Sequence, residues 1–221
     1  YQAYQQDRPI AFEVNGDAAI DLVINTLQKA ARDFPKATIK PVLINAMFIR
    51  PDQLHRLKNS QITINWFAPY LYYWGEQLCY EAVGPELAKQ LTPLQSASAT
   101  LNNIAAHTAS PLTPPHPLAA MEKMMTRDVQ KWHYPSNQHC PRYFAIDERV
   151  SAGQALKAFT IGAAKLYGLE AKKGSLEVGK LADMTLLSNN PQDNSPKKIK
   201  VLGTILRGKL IWSESSDKPL A

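Results

Sequence analysis

The 221-residue chain sets 25 Lys and Arg against 19 Asp and Glu, a net charge of +6, with 45% hydrophobic residues. That is enough apolar chain for one core of ordinary density or two small ones, and it excludes wholesale disorder. Its longest apolar runs fall far short of the ~18 residues a membrane helix needs, so no membrane partner is expected.

The first residue is Tyr1, with neither a charged n-region nor an apolar h-region behind it, and the start reads as a cut that leaves localisation illegible. From Pro9 to Val14 a short apolar run predicts a buried strand, and Asn15-Gly16-Asp17 turns it into a helix. Ile20, Val23, Ile24, Leu27, Ala31 and Phe34 share one helical face, with Asp17 as the expected cap and Pro35 as the stop. Lys40 to Asn45 predicts a second strand, Arg50-Pro51-Asp52 opens a helix carrying Leu54 and Leu57, and Thr63 to Ala68 is a third strand.

A long, less regular stretch with Trp74, Gly75, Gly84 and Pro85 leads to a short helix near Glu86 to Gln90 and a fourth strand near Asn103 to Thr108. Strand and helix alternating at this spacing mark parallel βα units. A Pro-rich loop, Ser110 to Pro117, then starts a helix whose Met121, Met124 and Met125 read as core packing. Trp132 to Asp147 reads as an exposed polar excursion. A capping box of Ser151 with Gln154 introduces a helix in which Leu156, Phe159, Ala163 and Leu166 share a face, closed by Gly168. From Lys173 short strands punctuated by glycine predict a small β module of about three strands, with an Arg207-Gly208-Lys209 turn. Too small to bury both faces, it is expected to join a sandwich whose other strands lie elsewhere.

Cys79 and Cys140 lack a CxxC partner, which argues against a zinc knuckle and a disulfide-dense scaffold and leaves one bridge open. The densest basic cluster, Lys197, Lys198 and Lys200, has no aromatic interleaving and reads as a solvated face, so no nucleic-acid partner is expected.

Several stretches carry a family signature. Val14-Asn15-Gly16-Asp17-Ala18-Ala19-Ile20-Asp21, Ser110 to Leu118, and Gly174-Ser175-Leu176-Glu177-Val178-Gly179-Lys180-Leu181-Ala182-Asp183 join Tyr72-Tyr73-Trp74-Gly75-Glu76 and Ala155 to Thr160. Together they resemble the C-terminal half of amidohydrolase-superfamily proteins, over about Pro9 to Trp212. The group is similar to amidohydrolase family 3, which includes N-substituted formamide deformylases and the so-called exoenzyme regulatory proteins.

The resemblance implies an α/β fold: the C-terminal half of a (β/α)8 TIM-type barrel, strands 5 to 8, over residues 1–170, part of a small β-sandwich over 171–214, and a tail at 215–221. It also implies a metal-dependent hydrolase of non-peptide C–N bonds, with zinc or another divalent ion at the strand ends activating water. This chain departs from that pattern where the chemistry lies. The expected fifth-strand His is Glu13, the sixth-strand His is Asn45, and the eighth-strand Asp, a ligand and proton acceptor, is Ala109. A His usually found before Trp-Gly-Asp is Tyr70, and the first-strand His-x-His would lie upstream of Tyr1.

Alanine cannot ligate, and asparagine is a weak oxygen ligand for a borderline metal, so the metal site is expected to be degenerate, with no catalytic residue in this chain. Glu13, Asp17, Asn45, Tyr70, Trp74 and His107 are expected to line what remains of the pocket. Taken singly, Glu13 reads as a strand-end acid satisfied by backbone N–H groups or water, and His107 as a hydrogen-bonded packing residue. His116 reads as a shaper of its loop, and His133 and His139 lie on the polar excursion. The expected partners are the other half of the barrel or a second copy of the chain, and a small-molecule amide. A non-catalytic binding or regulatory relative is the alternative reading.

Overall fold

A computed structural model describes residues 1–131, 140–193 and 195–215. After a short helix α1 (Gln2–Gln5), strands β1 (Ala11–Val14), β2 (Val42–Asn45), β3 (Thr63–Phe67) and β4 (Ala105–His107) form one parallel sheet in the order β1-β2-β3-β4. Parallel neighbours need a crossover, and helices supply it: α2 (Asp17–Asp33) joins β1 to β2 and α3 (Pro51–Leu57) joins β2 to β3. In α2 the buried residues are Ile20, Ile24, Leu27 and Ala30, a stripe at helical spacing packed on Leu43, Ile64 and Trp66 of the sheet. Val23 and Phe34 pack at its margin, whereas Ala31, expected inside, is exposed.

The stretch after β3, expected to be irregular, is helical. It comprises α4 (Tyr70–Gln77), a π-helical segment Leu78–Val83, α5 (Gly84–Ala88) and α6 (Leu94–Thr100). Gly75 inside α4 lies close against the Val129 and Phe144 side chains, where an added Cβ would come within 3.1 Å of Val129. Next, α7 (Pro117–Thr126) buries Met121 and Met124, as expected of the Met row. His116 caps its start by accepting the Ala119 N–H at Nδ1.

The expected excursion is corrected in part. Residues 132–139 lie outside the described residues, His133 and His139 among them, but Cys140 and Phe144 are buried. With Leu71, Cys79, Ala88, Leu91 and Val129 they form a satellite core separate from the main one, and Cys79 and Cys140 are disulfide-bonded. The bridge that the cysteine count left open is therefore made.

The capping box at Ser151 and Gln154 is present, but the single helix expected after it breaks at Thr160 into α8 (Ala152–Phe159) and α9 (Ile161–Leu166). The buried face is Ala155 and Ala158, small residues that let the helix approach closely. In the C-terminal module β5 (Met184–Leu187), β6 (Val201–Leu206) and β7 (Lys209–Ser213) form an antiparallel sheet in that order. Arg207 and Gly208, at φ +50° and +80°, make the two-residue hairpin turn that matches strand twist. Its tie to the main body is partly apolar, through Ile199 in the main core with Leu187 and Val201 against it, and partly ionic. Glu122 on α7, almost wholly buried, accepts from Lys197 Nζ at 2.7 Å, from the Lys197 N–H at 3.1 Å and from the Ser195 hydroxyl. One lysine of the expected solvated run is thus a structural anchor. Leu186 and Leu210 on one face of this sheet, and Leu206 and Trp212 on the other, are exposed. Residues 216–221 lie outside the described residues.

Candidate functional site

Parallel strands in sequential order place their C-terminal ends along one rim, and residues paired in register share a face. Glu13 pairs with Ile44, Val14 with Asn45, and Phe67 with His107. The chain leaves β2 through two left-handed residues, Asn45 at φ +76° and Ala46 at φ +49°. Asparagine tolerates that conformation better than other residues with a Cβ. From there Asn45 Nδ2 donates to Glu13 Oε1 at 3.2 Å. Asn45 is 7% exposed, and its Oδ1 is buried without a partner. Glu13, itself exposed, thus has a side-chain donor in Asn45 that the sequence reading did not name.

At the other end of the rim, His107 Nδ1 accepts the Ala109 N–H at 3.1 Å. That bond leaves the neutral ring its proton on Nε2, which is buried and has no partner of hydrogen-bond geometry. Burial pulls the His107 pKa below its ordinary value, against smaller upward pulls from the Glu13 charge and the Asn65 carbonyl. The ring stacks on Phe67 with centroids 5.4 Å apart, and Phe67 in turn holds Tyr70 at 5.8 Å and Trp74 at 5.7 Å. Tyr70 and Trp74 stack on each other at 5.5 Å. Burial raises the Tyr70 hydroxyl pKa. The first turn of α4 therefore continues the strand-end rim as an aromatic wall.

Asp17 stands apart from this group. The α2 cap is Gly16, with no side-chain capping bond, and Asp17 is the first helical residue. Its carboxylate accepts from Arg50 Nη1 at 3.0 Å. The same guanidinium is bonded to Asp52 and Asp21, and these carboxylates hold its pKa above the usual value. Asp17 and Arg50 face a cavity of about 340 Å³ with Phe48, Leu54 and Glu148. Sequence reasoning missed Arg50, because its partners Asp17 and Asp21 lie on another helix and no local pattern pairs them.

A borderline divalent ion takes three or more imidazole, thiolate or carboxylate donors. On this rim Glu13 offers one carboxylate, already engaged by Asn45. Asn45 offers a buried amide oxygen, and Ala109, at φ +52°, offers no side-chain donor. Among the described residues no three His, Cys, Asp or Glu side chains are grouped as a metal site. These residues do not by themselves fit the ion that the sequence resemblance implies.

Residues 2–212 match the amidohydrolase family. Protein LONG AFTER FAR-RED 3 of Arabidopsis thaliana is 24% identical over 205 residues, covering 92% of this chain and 34% of the plant protein. The putative amidohydrolase YtcJ of Bacillus subtilis is 22% identical over 217 residues, covering 97% of this chain and 39% of its own. An N-substituted formamide deformylase of Arthrobacter pascens is 32% identical over 74 residues, 32% of this chain and 14% of that enzyme. Among solved structures, an uncharacterized metal-dependent hydrolase from Pyrococcus horikoshii superimposes with a TM-score of 0.72 at 20% identity, over 89% of this chain and 37% of its own. An amidohydrolase from Thermotoga maritima gives a TM-score of 0.65 at 18% identity, over 96% and 45%. The chain spans under half the length of each of these relatives.

Proposed function

The chain belongs to the amidohydrolase family, and from that premise we propose that it is the C-terminal half of a metal-dependent hydrolase barrel whose ion site is disarmed in this half. The four parallel strands correspond to barrel strands 5 to 8, with β1 and β4 as the edges at which the other half, or a second copy, would close the cylinder. The exposed apolar side chains on both faces of the β5-β6-β7 sheet, Leu186 and Leu210 on one and Leu206 and Trp212 on the other, fit a module whose further strands lie elsewhere.

The reading is carried by the bond from Asn45 Nδ2 to Glu13 Oε1. Where the family places two imidazoles, this chain has a carboxamide and a carboxylate joined by one hydrogen bond, and at the third position Ala109 can neither ligate nor accept a proton. In relatives with a complete donor set the ion lowers the pKa of bound water for attack on a C–N carbonyl. This rim provides no group to do so.

The intact surface beside it favours a second reading, a binding or regulatory relative. The wall of Phe67, Tyr70, Trp74 and His107 persists as a stack that suits a planar small-molecule amide. Metal analysis of the purified protein separates the readings. Protein without bound zinc, iron or manganese, and with no amidase activity on adding zinc, supports the disarmed site. Near-stoichiometric metal retained through gel filtration, with amide hydrolysis, overturns it.

A further inference from the structure

The disulfide sits where it can control the aromatic wall. Two limbs of the chain, residues 70–93 and 127–144 apart from 132–139, form a lobe around the satellite core that contains both sulfurs. Several contacts tie the limbs together. The Gln130 N–H donates to the Tyr72 carbonyl at 2.8 Å, and the buried Arg127 guanidinium joins the Leu91 and Thr92 carbonyls to that of Phe144. Lys131 reaches Glu76 at 3.4 Å and the Cys140 carbonyl at 3.0 Å. The first turn of the same lobe lays Tyr70 and Trp74 on Phe67, and so on His107.

We propose that the Cys79–Cys140 disulfide is a redox-dependent latch on the aromatic wall, and that the protein works in an oxidising compartment. A core this small buries too little apolar surface to hold two limbs of chain in place, and a cross-link that removes their freedom in the open state supplies the difference. Both sulfurs are buried, Cys79 wholly and Cys140 at 4% exposure, so a reductant reaches them only when the lobe opens. Reduction by a dithiol is then a balanced two-electron exchange. Its thiolate attacks one sulfur, the Sγ–Sγ bond breaks, and the other cysteine leaves as a thiolate and takes a proton. The reductant's second thiol resolves the mixed disulfide, leaving two cysteine thiols and an oxidised cyclic disulfide. A bridge of this kind persists in oxidising compartments and is lost in reducing ones.

The test uses the intact protein. Free thiols are trapped by alkylation in denaturant as the native cells are lysed, so that buried thiols react, and amide hydrogen exchange of the folded protein is followed by mass spectrometry before and after reduction with dithiothreitol. The latch predicts no trapped thiol at Cys79 or Cys140. After reduction it predicts at least tenfold faster exchange in 70–93 and 140–144, while β1 to β4 keep their protection. The double variant Cys79→Ala, Cys140→Ala should show the same pattern without reductant, so that incomplete reduction cannot mask the result. Two alkylated cysteines in the native protein, unchanged exchange in the reduced lobe, or equal loss of protection across the sheet would each overturn the proposal.

Discussion

Asn45 donates its Nδ2 to the Glu13 carboxylate across 3.2 Å, tying the ends of β1 and β2 by their own side chains. Asn45 also holds a left-handed backbone, at φ +76°. Replacing it with alanine removes the bond and adds backbone strain, whereas glycine removes the bond alone. Urea denaturation should show Asn45→Ala less stable than Asn45→Gly by about 1 kcal/mol. Equal stabilities would mean the backbone conformation is not what asparagine contributes here.

Arg127 is a buried cation, and among the described residues no carboxylate forms an ion pair with it. Its guanidinium donates to the carbonyls of Phe144, Thr92 and Leu91, and burial pushes its pKa down to about 10. Arg127→Met strands three buried carbonyls and should cost about 3 kcal/mol or more. Arg127→Lys, with a point-like ammonium, should recover only part of that loss. Full recovery by lysine would show that charge rather than fork geometry matters.

The anchor between α7 and the C-terminal module predicts an acid dependence. Burial alone would raise the Glu122 pKa, but the bonds from Lys197 and Ser195 outweigh it and hold the carboxyl below its ordinary value. A carboxyl depressed in the folded state stabilises fully above its unfolded pKa, and that contribution is lost as pH falls through the folded one. Between about pH 5 and pH 3 the native protein should therefore lose more stability than Glu122→Gln. Parallel acid limbs would remove Glu122 from the account.

At Gly162 in α9 an added Cβ would run into the backbone carbonyls of Ile104 and Lys157, which cannot swing away as a side chain can. Gly162→Ala should cost about 2–4 kcal/mol. At Gly153 in α8 the nearest atom to an added Cβ is Ser151 Oγ, 4.0 Å away. Gly153→Ala should be neutral or stabilising by up to about 1 kcal/mol. Thermal unfolding of the pair compares close approach with open space in neighbouring helices.

The parallel sheet was legible because its strands are short apolar runs set off by local turn chemistry, as Asn15-Gly16 after β1 and Arg50-Pro51 after β2 show. The helical run from Tyr70 to Val83 was not, because Gly75 and the Gly84-Pro85 pair read locally as breakers, whereas the short helix expected near Glu86 to Gln90 overlaps α5. Long-range packing on Val129 and Phe144 overrides that signal at Gly75. The break at Thr160 was hidden by a stripe running through it, from Leu156 to Leu166. At the candidate site, Glu13 and Asn45 were singled out by the family resemblance, which sets them at the ends of adjacent strands. The loss of Asp17 to Arg50 depends on a contact between helices that no spacing reveals.

The variant Glu13→His, Asn45→His, Ala109→Asp restores at once the three donors that the family places at these strand ends. Isothermal titration with zinc, on protein shown to be folded by circular dichroism, asks whether the three positions converge. Near-stoichiometric zinc uptake by the variant and none by the native chain is the predicted result. A folded variant with no gain in zinc affinity, or native protein that already binds zinc through Glu13, would contradict a disarmed ion site.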